Sequence, residues 1–210
     1  MKNGKSVKSN RINIKNPVVC LLTSDTEGGT TYGEVESLGE AMQIQLTPAV
    51  ASGSLYGNGV QTENIGKLSG IAVSLDLNKL YIEKRALILG NEYKDGVLVE
   101  TAGQEPPYIA LGYEVEQTNG TRELVWLLKG RAQPVNETRQ QSTDNIVFST
   151  DSVTINFIPR DSDHQIRFFG DTANPDFTKE QADKFFSAGP VEYPKKVVQE
   201  PIQGETDENN

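Results

Sequence analysis

The chain has 210 residues and a formal net charge of −9; 36% of its residues are hydrophobic, 19 are glycine and 10 are proline. No apolar run reaches membrane-spanning length, we expect no secretory signal at the lysine-bearing N-terminus, and the single cysteine, Cys20, excludes an internal disulfide. Residues 17–193 carry 13 basic and 25 acidic side chains, which disfavours binding to phosphate backbones, and the many turn residues favour a β-rich fold.

The N-terminus is predicted to be a flexible basic arm over residues 1–13, ahead of one domain over 14–193. Residues 1–16 hold five basic side chains and no acid. We expect this arm to lie on an acidic surface of its own or an adjacent subunit, through an attraction that salt weakens. A first strand is predicted near 17–22, where Cys20 is interpreted as a small buried hydrophobe.

Two half-buried strands are predicted after a Gly- and Thr-rich surface loop over 24–40. Apolar and polar residues alternate over 42–46 and again over 68–77. Each strand therefore has one apolar and one polar face, and a one-residue slip in register would exchange them.

The segment between these strands, residues 47–66, fits neither a helix nor a core strand. Loops of this length inside a compact domain are uncommon and usually functional. Glycines interrupt the segment, which carries five apolar side chains: Val50, Leu55, Tyr56, Val60 and Ile65. Because such groups require a surface to bury against, we interpret 47–66 as a ring-stacking assembly arm. The alternative is an Ω-loop packed on its own domain.

A helix is predicted over about 79–89, with Gly90 as its C-terminal stop. Its apolar residues lie on two opposite sides, and Leu80 and Leu87 point away from the main stripe. A helix of this kind is buried on more than one side. We therefore predict a sheet on one side and a lateral interface with a neighbouring subunit at Leu80 and Leu87. The alternative is a helix covered by a loop of its own chain.

Asn119 and Gly120 predict a β-hairpin with a two-residue type I′ turn. Counting outward from this turn places three cross-strand pairs on one face, namely Val115 with Leu124, Tyr113 with Trp126, and Leu111 with Leu128. Further strands are predicted over 146–158 and near 166–168.

The C-terminal part is predicted to hold a second helix over about 179–188 and a flexible acidic tail over 194–210. Thr178 and Gln181 form a capping box, and Gly189 is placed as the stop. The tail has no apolar side chain after Ile202, which is typical of a segment without a core.

The sequence shows no residue constellation typical of an enzyme. It has no P-loop, no H-E-x-x-H and no C-x-x-C motif. The one histidine, His164, lies in a predicted solvated turn, where Asp161 and Asp163 alone make a weak cation site at most. Paired carboxylates for glycoside cleavage stay open, because their pairing is spatial. We assign no catalytic, cofactor or metal site.

Six segments carry a resemblance in their order along the chain. They are Leu22-Thr-Ser-Asp-Thr with Tyr32-Gly33, Ile44-Gln-Leu-Thr-Pro48, Ser54-Leu-Tyr-Gly-Asn-Gly59, Ile71-Ala-Val-Ser-Leu-Asp-Leu77, Pro107-Tyr-Ile-Ala-Leu-Gly-Tyr113 and Trp126-Leu-Leu-Lys-Gly130. Over about residues 12–190, the chain resembles the major tail proteins (tail tube proteins) of siphophages that infect Gram-positive bacteria. In place of a tyrosine-rich start, it has the basic arm and Pro17-Val-Val-Cys-Leu.

The resemblance implies a mainly β tail-tube fold, with two antiparallel sheets packed as a sandwich or partial barrel beside a helix. It implies a structural virion protein, present in the host cytoplasm during assembly, whose six-copy rings stack into the tube for DNA ejection. The segment 47–66 corresponds to an arm that bridges rings. Implied partners are the chain itself and the tape measure, distal tail and tail terminator proteins.

The DNA conduit is expected to pass DNA without binding it, because phosphate contacts in series would hold the duplex. Lumen candidates come from the polar faces of the two alternating strands: Gln43, Gln45, Ser74 and Asp76. We expect an acidic rather than a basic lumen.

Two other classes of protein remain as alternatives. A carbohydrate-binding β-sandwich of a virion or cell surface would need a row of exposed aromatic side chains. A secreted conduit of the contractile-injection type shares the implied fold, and the sequence does not separate it from a phage tail tube.

Overall fold

A computed structural model describes residues 8–58, 60–142 and 147–190. The fold is mainly β and antiparallel with two helices, as predicted. In chain order, the elements are β1 Arg11–Thr26, β2 Gly29–Tyr32, β3 Glu36–Ser37, β4 Ala41–Gly57, β5 Val60–Leu77, α1 Ile82–Leu89, β6 Glu92–Lys94, β7 Val97–Val99, β8 Ile109–Gln117, β9 Arg122–Ala132, β10 Asn136–Glu137, β11 Asp151–Phe157, β12 Arg167–Asp171 and α2 Lys179–Lys184.

Ten strands form one sheet with the main order β2-β1-β8-β9-β11-β5-β4, and β6 and β7 form a small second sheet. The short strands β3, β10 and β12 pair with β1, β11 and β9, respectively. The large sheet curves until β1 and β4 approach each other. It therefore has the form of a partial barrel.

The inner face of this curved sheet holds the main core. Alternate residues of β5 and β11 face inward, for example Val73, Leu75 and Ile155, and they are fully buried. These strands were predicted from the same alternation, because one face of each meets the core and the other does not. Each fully buried aliphatic side chain stabilises the fold by roughly 1.5–3 kcal/mol.

A second core lies on the outer face of the sheet, under the C-terminal segment. Trp126 is 1% exposed, and its Nε1 donates to the carbonyl oxygen of Phe185 at 2.9 Å. Phe185 and Phe186 contact each other edge to face, with ring centroids 5.1 Å apart. Cys20 is fully buried in this cluster, and burial raises the pKa of its thiol to about 12. The prediction that Cys20 is a small buried hydrophobe is confirmed.

The predicted register of the β8–β9 hairpin is wrong by one residue. Tyr113 pairs with Val125, and Trp126 pairs with Gly112. The connection has three residues, because Gly120 has φ +80° whereas Asn119 does not enter the left-handed region. A type I′ turn requires positive φ at both central residues. The slip places Tyr113 in the inner core and Trp126 in the outer one.

The remaining predicted pairs, Val115 with Leu124 and Leu111 with Leu128, are wrong for the same reason. In the structure, Leu111 pairs with Leu127, and Leu124 pairs with Glu114. The two members of each predicted pair therefore lie on opposite faces of the sheet.

Both helices are shorter than predicted. Helix α1 runs from Ile82 to Leu89, and Gly90 follows it with φ +70° as the left-handed cap expected of that glycine. Helix α2 has the predicted capping box between Thr178 and Gln181 but ends at Lys184. Gly189 is not its stop; it packs on Tyr32, where a Cβ atom would lie 2.4 Å from the tyrosine Cβ.

Several predicted boundaries change at the chain ends. Strand β1 begins at Arg11, so the last residues of the predicted arm over 1–13 are strand rather than flexible. The predicted loop over 24–40 contains the end of β1 and also β2 and β3. Residues 1–7 and the predicted tail over 194–210 lie outside the described residues.

Candidate assembly surfaces

Residues 47–66 form a β-hairpin rather than an irregular loop. Strands β4 and β5 stay paired beyond the body of the sheet up to Gly57 and Val60, which leaves residues 58 and 59 to connect them. Asn58 has φ +50°, as the first position of a tight turn requires. The signal that sequence reasoning missed is this second Asn-Gly pair.

This hairpin protrudes from the body. On β5, Ile71 is 1% exposed, whereas every described residue over 60–69 is exposed. On β4, every described residue over 47–56 is exposed. The nine residue positions of β4 after Pro48 extend about 30 Å at the usual rise per strand residue. We refer to residues 49–68 as the hairpin arm.

The five predicted ring-stacking residues all lie on the hairpin arm with large exposed fractions. The values are Val50 60%, Leu55 61%, Tyr56 66%, Val60 66% and Ile65 49%. They are not packed on their own domain, so the Ω-loop alternative is wrong. Exposed apolar groups concentrated on one protruding element are typical of an interaction surface.

The hairpin arm carries apolar residues on both of its faces. Cross-strand partners share a face, and successive residues of a strand alternate. Val50, Tyr56 and Leu68 continue the core-side face of β4, which bears Ile44 and Leu46 in the body; Leu55, Val60 and Ile65 continue the opposite, outer-side face. The outer-side face has a notch at Gly53, bordered by Leu55, Glu63 and Ile65.

A cleft lies at the other end of β4, away from the hairpin arm. It has a volume of about 490 Å³, and Met42, Tyr81 and Phe148 line it. These three side chains are 59%, 49% and 84% exposed. Glu40 and Asn78 border it and are joined by a hydrogen bond from Asn78 Nδ2 to Glu40 Oε2 at 2.5 Å. We refer to this site as the far-end cleft.

The predicted lateral interface at Leu80 and Leu87 is corrected by the structure. Leu80 precedes the helix and is 6% exposed within the chain's own core, where its backbone N–H donates to Asp151 Oδ2 at 2.8 Å. Leu87 is partly buried and packs against the same core. Since Tyr81 starts the helix from an extended conformation, Leu80 turns inward instead of pointing to a neighbour.

The four lumen candidates share the outer face of β4 and β5, opposite the inner core. Three cross-strand rows cover this face together with β11: Gln43–Asp76–Ser152, Gln45–Ser74–Thr154 and Thr47–Ala72–Asn156. Asp76 is the only ionisable side chain in these rows. The alternation therefore places the candidates on one face, and that face presents amides and hydroxyls with one carboxylate.

Two of the basic N-terminal residues meet acidic side chains of the same chain. Arg11 Nε lies 2.8 Å from Glu123, and Lys15 Nζ lies 2.5 Å from Glu116. Hydrogen bonds from Lys15 and Asn13 lower the pKa of Glu116. Two basic residues at the start of β1 thus pair with acidic side chains of β8 and β9, as the predicted attraction requires.

An ion cluster around the buried Lys129 of β9 joins the end of β1 to the loop after β11. Lys129 Nζ lies 2.8 Å from Asp25 and 2.7 Å from Asp161. Burial opposes ionisation of Asp25, but hydrogen bonds from the backbone N–H groups of Asp161 and Ser162 and from Lys129 outweigh it and lower its pKa to about 2. Asp163 pairs with Arg160, so both aspartates beside His164 are occupied by basic side chains.

In the described ranges, no group of three or more metal-ligating residues occurs, and no helix is long and apolar enough to cross a membrane. Comparison with models of known protein families gives no match, and no curated protein matches the chain. The candidate surfaces are therefore interpreted from their geometry alone.

Proposed function

We propose that this chain is a structural protein that self-assembles into stacked rings and forms a tube of the phage-tail type. The observation that carries the proposal is the hairpin arm, which extends about 30 Å from the body and exposes six large apolar side chains. Such a surface is costly to leave in water. Copies of the chain that bury it on one another gain that free energy at every contact.

The polar outer face of β4, β5 and β11 supports a role as the wall of a conduit. A wall that lets DNA pass must not offer lysine or arginine side chains in register with phosphates. On β4, β5 and β11 these rows contain no basic residue, and the third row continues through Asn156 to Arg131 of β9, which pairs with Glu105. We infer that this face lines the lumen, with Gln43, Gln45, Ser74 and Asp76 toward the channel.

The carbohydrate-binding alternative loses its main support in this fold. The only tryptophan, Trp126, is buried in the outer core. Among the exposed aromatic side chains, Tyr56 and Phe169 lie apart on β4 and β12, while Tyr81 and Phe148 share the far-end cleft.

Electron microscopy of the purified full-length chain, together with light scattering, tests the proposal. We expect rings or tubes of uniform width. Deleting residues 51–64 and joining the strands with a short turn should leave a folded, soluble protein that no longer forms tubes. A wild-type chain that stays monomeric at all concentrations contradicts the proposed function, and a deletion variant that still polymerises shows that the hairpin arm is not the stacking element.

A further inference from the structure

Both faces of the hairpin arm carry exposed apolar side chains. Contact with a single surface would bury only one of these faces. Tyr56 and Leu55 are neighbours in sequence, lie on opposite faces and are 66% and 61% exposed. A hairpin that lies on a single surface keeps its outward face polar, as strands with one solvated face do.

We propose that each hairpin arm lies between two other copies of this chain and is covered on both faces. This inference rests on the proposed self-assembly and specifies the arrangement of the partners. The outer-side face, with Leu55, Val60 and Ile65, enters the far-end cleft of the next copy. The core-side face, with Val50, Tyr56 and Leu68, contacts a second copy.

The far-end cleft fits the outer-side face in chemistry and position. Met42, Tyr81 and Phe148 line it and suit apolar side chains. Glu40 and Lys79 also line it, and the outer-side face of the arm carries one residue of each opposite charge, Lys67 and Glu63. The arm and the cleft lie at opposite ends of β4. Copies joined through them contact one another head to tail, and such a series stays open unless its rotation closes it into a ring.

A second groove, of about 460 Å³, is the competing receiver. It is lined by residues that include Ile12, Ile44 and Phe169. The β8–β9 connection and the hairpin arm project from the same end of the sheet, and this groove lies there. An arm that entered it would require two copies to face each other, and such a pair closes as a two-fold dimer.

Face-specific substitutions in the full-length chain test the proposal. We expect Leu55→Ser and Tyr56→Ser each to raise the concentration needed for assembly at least about tenfold, because each removes a large buried side chain. Neither change should alter the melting temperature of the monomer. Val97→Ser is the matched control, since Val97 is 60% exposed on the small sheet, away from the arm; it should leave assembly unchanged.

A double-mutant comparison identifies the receiver. If Leu55 enters the far-end cleft, Leu55→Ser combined with Phe148→Ser weakens assembly no more than the stronger single change, whereas Tyr56→Ser with Phe148→Ser is additive. Normal assembly by either the Leu55→Ser or the Tyr56→Ser chain overturns the two-sided contact and leaves the proposed function intact. A wild-type chain that stops at a dimer overturns the cleft assignment in favour of the groove, and a strictly monomeric wild type overturns both proposals.

Discussion

Strands β4 and β5 each have one half in the body and one half in the hairpin arm, and the two halves differ in what holds them. In the body, Val73 and Leu75 are fully buried between strands that pair on both sides of β5. In the arm, β5 pairs with β4 alone and every described side chain is exposed. Isolated two-stranded hairpins are marginally stable in water. The body is therefore stable by itself, and the arm depends on what it meets.

The largest difference in monomer stability should appear when one leucine in the body and one in the hairpin arm are each replaced by alanine. Leu75→Ala removes a fully buried side chain and should lower the free energy of unfolding by about 2–5 kcal/mol. Leu55→Ala should leave thermal unfolding of the monomer unchanged while weakening assembly. Calorimetry and light scattering on both variants measure the two effects, and equal loss of monomer stability would show that the arm belongs to the folded core.

Replacing one glycine in each region by alanine should give a smaller difference in monomer stability between the body and the hairpin arm. A Cβ atom at Gly112 would lie 2.6 Å from a Phe186 ring carbon, whereas one at Gly53 meets nothing within 4 Å. Gly112→Ala should therefore destabilise the fold by about 1–3 kcal/mol through overpacking. Gly53→Ala should leave chemical denaturation of the monomer unchanged, and a matching loss in both variants would contradict the exposed position of the arm.

Lowering the pH should destabilise the body of the fold by protonating Asp25, and it should have no such effect in the hairpin arm. Because its folded pKa is lowered to about 2, its contribution to stability is complete above its ordinary value of 3.8 and is lost as the pH falls toward 2. The Asp25→Asn variant should melt at a lower temperature than the wild type near neutral pH, and the difference should shrink between pH 4 and pH 2. A difference in melting temperature that does not depend on pH would show that Asp25 does not stabilise the fold through its charge.

The two Asn-Gly turns should give the smallest contrast in monomer stability. Asn119 Oδ1 accepts hydrogen bonds from the backbone N–H and the hydroxyl of Thr121, at 3.0 and 2.6 Å. Asn119→Ala should therefore cost about 0.5–1.5 kcal/mol. Asn58→Ala should spare the unfolding transition but slow assembly, because alanine tolerates the φ of +50° poorly. Stopped-flow light scattering would measure the rate.

Sequence patterns predicted the parts of the molecule where burial follows a simple period. Alternation placed Ser74 and Asp76 on the face opposite Val73 and Leu75, and the local capping chemistry of Thr178 identified the start of α2. These signals are local, so no long-range contact was needed to interpret them.

The sequence predictions are wrong where the structure depends on contacts between residues distant in sequence, or on one additional residue in a turn. Thr118 joined the connection after β8 and shifted its whole register. The arm was not recognised as strand, because a ribbon without a buried face shows no alternation. The helical pattern predicts a subunit contact for Leu80, but its backbone N–H donates to Asp151 and the side chain lies in the core.

The positions of the hairpin arm and the far-end cleft at opposite ends of β4 also mean that a finished stack would have two chemically different termini. In the proposed stack, one terminus would display free hairpins and the other would display empty clefts. Growth at the two termini would then proceed at different rates, and arrest of elongation would require two unlike capping partners. One must mimic the cleft and the other must mimic the apolar hairpin.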